Sequence, residues 1–156
     1  MNKSKYIHKR HNVTVLLYHL VFPAKYRRSV LSPEVDLIIK EVCLEIEKRY
    51  EVIFLEIGSD KDHIHMLIEL SPKYSISEAV QMIKSITARQ VFLRYPEVKK
   101  QLWGGEFWSS GYFAATVGQH GNEEMISRYV KNQGNEYNKL HANYKELQLG
   151  SVNFFV

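Results

Sequence analysis

Two histidines, His63 and His65, stand two residues apart in the run KDHIHMLIEL, residues 61–70. Side chains alternate across a β-strand, so both imidazoles fall on one face, about 6.5–7 Å apart along the strand. Rings at that spacing can converge on one divalent ion, at roughly 2.0–2.2 Å from each nitrogen. Ile64, Met66, Ile68 and Leu70 take the other face and read as core, while Leu67 and Glu69 follow the histidines onto an open face. Taken alone, the pair reads more readily as polar cover on a solvated sheet.

A second constellation lies in EEMISRYVKNQG, residues 123–134. Tyr129 and Gln133 are four residues apart, which on a helix sets them on one face about 6 Å apart along the axis. Singly, Tyr129 reads as a core aromatic beside Ile126 and Val130, and Gln133 as a surface amide. If that helix lies over the histidine face, Gln133 offers a carbonyl oxygen to a metal and Tyr129 presents its hydroxyl beside it. Asp62, Glu69 and His120 are the candidates for a general base, each also readable as a solvated loop or sheet residue. Among ten tyrosines, Tyr137 is the nearest rival to Tyr129.

The elements that must hold these residues follow from periodicity and punctuation. Residues 13–22 are rich in β-branched and aromatic side chains and predict a strand. Ser32-Pro33-Glu34 supplies a helix cap, a proline at the first helical position and an early acid. Apolar residues at helical spacing then run from Val35 to about Tyr50. Residues 52–57 predict a second strand, 58–61 a turn, and 62–70 a third strand paired with the second as a hairpin. Ser75 to Glu78 is a capping box opening a helix to about Arg94, which Tyr95-Pro96 ends. Residues 112–118 predict a fourth strand, and 122–134 a third helix ending at Gly134. The order β-α-β-β-α-β is that of the ferredoxin-like α+β plan: a four-stranded antiparallel sheet with both crossover helices on one face. The third helix is an addition at the C-terminal end.

The chain has 156 residues, enough for one domain with a core. We read residues 1–156 as a single domain, with a core at about 10–134 and a polar tail at 135–156. A formal net charge of +4 permits a polyanionic partner without requiring one. The single cysteine, Cys43, excludes an internal disulfide, fits a reducing interior and reads as a small core residue. No apolar run reaches the ~20 residues that cross a bilayer. The stretch VTVLLYHLVF carries His19 and lacks a cleavage signal, so a cytoplasmic protein is expected.

Four blocks, HLVFPAKYRRSVL (19–31), DHIHMLIEL (62–70), FWSSGYFAATVG (107–118) and RYVKNQ (128–133), agree in order and spacing with one family. The chain resembles the single-tyrosine HUH transposases of the insertion-sequence 200/605 group, over about residues 10–134. That resemblance implies an HUH variant of the ferredoxin-like fold. It further implies an obligate homodimer in which the tyrosine helix of one subunit can complete the metal site of the other. By the same resemblance His63 and His65 are the metal-binding pair, Gln133 the third protein ligand and Tyr129 the nucleophile. The implied substrate is single-stranded DNA with a hairpin near each element end, cut to leave a 5′-phosphotyrosine and a free 3′-OH. Two imidazoles and an amide oxygen, with no thiolate, suit Mg²⁺ or Mn²⁺ as cofactor.

DNA must also be held. Lys25, Arg27 and Arg28 follow the first strand, Lys3, Lys5, Lys9 and Arg10 precede it, and Lys84 and Arg89 lie on the second helix. Each is a candidate phosphate contact and, singly, an ordinary surface charge. Trp103, Phe107, Trp108 and Tyr112 are candidates for stacking on bases or for packing. Two other readings stand beside the enzyme: a non-catalytic ferredoxin-like nucleic-acid-binding module, and a host-adopted relative that binds or nicks palindromes without moving an element. The first predicts aromatics where His63 and His65 stand and gives no reason for Tyr129 with Gln133. Hairpin-forming ends flanking the gene discriminate against the second.

Overall fold

The computed structural model describes residues 7–8 and 12–118. Tyr129, Gln133, His120, Tyr137, the predicted third helix and the tail lie outside the described residues, as do Lys3, Lys5, Lys9 and Arg10.

A short hairpin pairs β1 (Ile7–His8) with β2 (Val13–Thr14). Then come β3 (Leu17–Pro23), α1 (Pro33–Arg49), β4 (Val52–Ser59), β5 (His63–Leu70), α2 (Ile76–Arg94) and β6 (Phe113–Val117). The sheet order is β4-β5-β3-β6, antiparallel throughout, so β3 and β5 are central. This is the ferredoxin-like arrangement.

The expected single strand over 13–22 is broken. Pairing of β3 with β5 begins at Leu17 opposite Glu69. The last tie at this end joins the Leu70 amide to the Leu16 carbonyl (2.9 Å). Beyond Leu70 the chain turns away at Ser71-Pro72, which leaves β5 no backbone for residues 13–14, and these pair with residues 7–8 instead. Both predicted helix caps form. The Ser32 hydroxyl accepts from the Val35 amide at 3.3 Å, and the Ser75 hydroxyl from the Glu78 amide at 3.1 Å.

Both helices cover one face of the sheet. Val35, Ile39, Val42 and Ile46 of α1, with Ala79, Val80, Ile83 and Val91 of α2, bury against Leu20 and Phe22, Phe54 and Ile57, and Ile64, Met66, Ile68 and Leu70. Cys43 joins this core, and burial pushes its thiol pKa well up, so it stays protonated and inert. The connector into β6 is fastened to α2. The Thr87 hydroxyl donates to the Ile83 carbonyl (2.7 Å) and accepts from the Trp108 indole (3.0 Å). The Lys84 ammonium donates to the carbonyls of Ser109 (2.7 Å) and Gly111 (2.8 Å).

Candidate metal and DNA-processing site

His63 and His65 project from the sheet face opposite the helices, as alternation requires. Cross-strand pairing sets Pro23 opposite His63, Val21 opposite His65 and His19 opposite Leu67 on that face. Both histidines are half-buried, while Leu67 and Glu69, further along β5, are 4% and 1% exposed. Along β5 itself, the face expected to be open is therefore accessible only at the histidine end.

The two rings are set by different means. His63 Nδ1 lies 2.9 Å from Asp62 Oδ1, and the other carboxylate oxygen, Oδ2, accepts from Arg27 Nε at 3.0 Å. Those contacts hold the Asp62 carboxyl below its ordinary pKa, the His63 hydrogen bond first and Arg27 after it. An ionised carboxylate can only accept, so this contact suits a proton on His63 Nδ1.

His65 lies against bare backbone. Gly58 of β4 pairs with it, and a Cβ built on Gly58 would come within 2.5 Å of His65 Nε2 and closer still to Cε1. The expected turn over 58–61 begins later, since Gly58 and Ser59 extend β4. A β-bulge sets the partner of Gly58: the register shifts by one residue between Phe54 and Glu56. A continuous register would set Ile57 beside His65; the shift turns Ile57 into the core and brings the glycine alongside the ring. Bulges beside functional sites re-aim side chains in this way.

His19 adds a third imidazole. Its ring centroid is 6.3 Å from that of His65, edge to face, and 6.4 Å from Phe113. Burial, and secondarily the neighbouring His65, lower its pKa and favour the neutral ring. Sequence reading assigned His19 no role, because its place beside His65 follows only from the register of β3 on β5.

The basic candidates separate into distinct settings. Arg27 and Arg28 are exposed where β3 leaves the sheet, at the His63 end. Lys25, beside them, pairs with Glu106 at 2.8 Å. Arg89 is exposed on α2, across the sheet from the histidines. Lys84 shares that helix, and its ammonium is directed at the two carbonyls that anchor the connector. Of the aromatic stretch, Phe107 and Trp108 are core, whereas Trp103 is 74% and Tyr112 42% exposed.

The donors fit a divalent ion that keeps open positions. Two imidazoles share a face, and among the described residues the contact of His63 is at Nδ1. Among the described residues no group of three or more His, Cys, Asp or Glu is placed to hold a metal ion, so further ligands would have to come from elsewhere. Two imidazoles without a thiolate do not make the closed four-ligand cage of a structural zinc site. Among the described residues, no helix is long and apolar enough to cross a membrane.

Comparison with known proteins agrees with this arrangement. The family model described as "Transposase IS200 like" matches residues 12–133. The ISDra2 transposase TnpA of Deinococcus radiodurans is 35% identical over 120 residues, covering 76% of this chain and 84% of that protein. The transposase for insertion sequence element IS200 of Salmonella typhimurium is 33% identical over 116 residues, 74% of this chain and 75% of that protein. A crystal structure described as a transposase from Deinococcus radiodurans matches with a TM-score of 0.66 at 31% identity, over 81% of this chain and 97% of that one. A REP-associated tyrosine transposase bound to a REP hairpin shares the fold, with a TM-score of 0.50 at 9% identity over 88% and 73% of the two chains. With the matched region spanning the whole sheet and its histidine strand, the chain belongs to the IS200-like transposase family and is a DNA transposase.

Proposed function

We propose that this transposase cleaves and rejoins single-stranded DNA at hairpin-bearing element ends through a 5′-phosphotyrosine on Tyr129. His63, His65 and Gln133 would hold the divalent ion, Mg²⁺ or Mn²⁺. The observation that carries the reading is the pair of imidazoles on the face opposite the helices, one with Nδ1 against the Asp62 carboxylate and the other seated on a bare glycine.

When bound, the ion supplies Lewis-acid stabilisation of the charge that develops on the scissile phosphate. The Tyr129 oxygen attacks phosphorus, the bond to the 3′ oxygen breaks, and that oxygen leaves as a 3′-OH after taking up a proton. A free tyrosine has a pKa near 10, so about one in a thousand is ionised at pH 7. Holding the phenol against the phosphate therefore contributes much of the rate. The phosphotyrosine remains a phosphodiester, so a 3′-OH from another strand can attack it and restore DNA without ATP. Arg27 and Arg28, with Lys25 beside them, offer phosphate contacts at the His63 end of the sheet.

A homodimer, with the tyrosine helix of one subunit completing the site of the other, belongs to the same proposal, as does a cytoplasmic location. The hairpin substrate is supported by analogy with the REP-hairpin complex, whose likeness to this chain is one of fold.

The test incubates the protein with single-stranded DNA from the ends flanking its gene, with Mg²⁺, and looks for an adduct that survives denaturant. The wild type forms it, and Tyr129→Phe binds DNA without forming it. An undiminished adduct in Tyr129→Phe overturns the assignment of the nucleophile and points to Tyr137.

A further inference from the structure

We infer that Asp62, braced by Arg27, is a positioning residue that fixes His63 in the Nδ1–H tautomer and so presents Nε2 as a lone-pair donor. This deepens the proposed function and rests on it for the identity of the ligand; the position of the ring proton stands independently.

Three features of the chain converge on this carboxylate. Its two oxygens are divided, Oδ1 to His63 and Oδ2 to Arg27, so neither is left without a donor. Its main chain is tied as well: the Ala24 amide donates to the Asp62 carbonyl at 2.8 Å, and the Leu31 amide to that of Lys61 at 3.0 Å. The guanidinium reaches it from an unusual turn. Tyr26 (φ 60°, ψ 18°) and Arg27 (φ 53°) are consecutive non-glycine residues in left-handed backbone, a conformation that crowds an L residue's Cβ. The Arg27 amide closes this turn on the Ala24 carbonyl (2.9 Å), and the Lys25 amide is held by the Phe107 carbonyl (2.8 Å). Backbone of this kind persists where its surroundings over-determine it, and such places cluster at functional sites.

The Arg27 side chain is 63% exposed, and an exposed ion pair adds little stability. What the contact does supply is direction. A neutral imidazole exchanges its proton between two nitrogens, and the partner on one decides which remains a ligand. Asp62, a general-base candidate from its sequence position, has one oxygen against His63 and the other against Arg27. Only the Arg27 Nε is engaged by Asp62, which leaves its terminal amino groups free for a DNA phosphate.

The experiment is long-range ¹H–¹⁵N correlation NMR of the full-length, metal-free protein labelled at histidine. His63 signals are assigned by their loss in His63→Gln. The wild type should show His63 as the Nδ1–H tautomer, and Asp62→Ala a mixture or the Nε2–H form. The near-isosteric Asp62→Asn, whose amide can donate as well as accept, should also shift the balance, and it serves as the variant least able to disturb folding. Titration with Mn²⁺, read by electron paramagnetic resonance, should show affinity weakened about tenfold in Asp62→Ala. An Nε2–H tautomer in the wild type, or a tautomer unchanged in both variants, overturns the inference whatever the metal does. Measurable Mn²⁺ affinity that is equal in wild type and Asp62→Ala overturns the presentation of Nε2 as a ligand. A wild type that binds no Mn²⁺ but keeps an Asp62-dependent Nδ1–H tautomer upholds the positioning role and refutes the metal site of the proposed function.

Discussion

The two faces of β5 are built from alternate residues of one eight-residue strand, yet they answer to different physics. Ile64, Met66, Ile68 and Leu70 are all 1% exposed or less and lie under the helices. There apolar area and close packing decide, and one methyl group is felt. His63 and His65 face the other way, half-buried, and their neighbours aim them: a braced carboxylate for one, a bare glycine for the other. The central strand thus anchors the core and, through the same backbone, gives the site a rigid mount. Changes on one face should register as stability, and changes on the other as chemistry.

The widest separation is expected between His65→Ala and Ile68→Ala. The first should slow metal-dependent cleavage by a factor on the order of 100 or more while shifting stability by less than about 1 kcal/mol. The second should cost about 2–5 kcal/mol. Cleavage rates and urea midpoints measured on both proteins check this, and a similar loss of stability in both would erase the distinction between the faces. Gly58→Ala sharpens it. The new Cβ must displace the His65 ring, so cleavage should fall by about 10- to 100-fold with a near-native urea midpoint. A full-speed Gly58→Ala enzyme would mean that the seat of the ring is immaterial.

Lys84→Met belongs with the core face, although a lysine on an exposed-looking helix position suggests DNA. Two connector carbonyls would lose their donor, at about 1–3 kcal/mol, and the salt dependence of DNA binding should stay unchanged. A flatter salt dependence would restore Lys84 as a phosphate contact. The smallest effect concerns His19. Its folded pKa lies below the ordinary 6.5, so as pH falls through 6.5 the unfolded chain takes the proton first and stability declines. The decline ends once pH passes below the folded value. His19→Gln should flatten this part of the stability–pH curve, and a native curve that rises on acidification would contradict the assigned direction.

Much of this is legible from local pattern. Alternation in residues 63–70 separates the two faces, and Ser32 and Ser75 mark both helix starts, because such signals act within a few residues. What escapes such reading depends on pairing between strands. The bulge at Phe54–Glu56 sets Gly58 beside His65, and no residue within 52–59 announces it. His19 acquires its neighbour only through the register of β3 on β5. Asp62 and Arg27 are 35 residues apart and meet because a left-handed turn folds one back onto the other. The charge of Lys84 is visible in the sequence, but the carbonyls that use it are not, since they belong to a connector placed by tertiary packing. The grouping of Tyr129 with Gln133 rests on helical spacing and family resemblance, and both residues lie outside the described part of the chain.

The measurement closest to the central claim is paramagnetic broadening by Mn²⁺, which falls steeply with distance from the ion. An ion held on the histidine face should, at substoichiometric Mn²⁺, broaden the ring signals of His63 and His65 first and the nearby Val21 methyls next. The Ile64 and Ile68 methyls across the sheet should remain sharper, and the pattern should vanish in His65→Ala. Broadening centred elsewhere, or unchanged by His65→Ala, would contradict a metal site on that face.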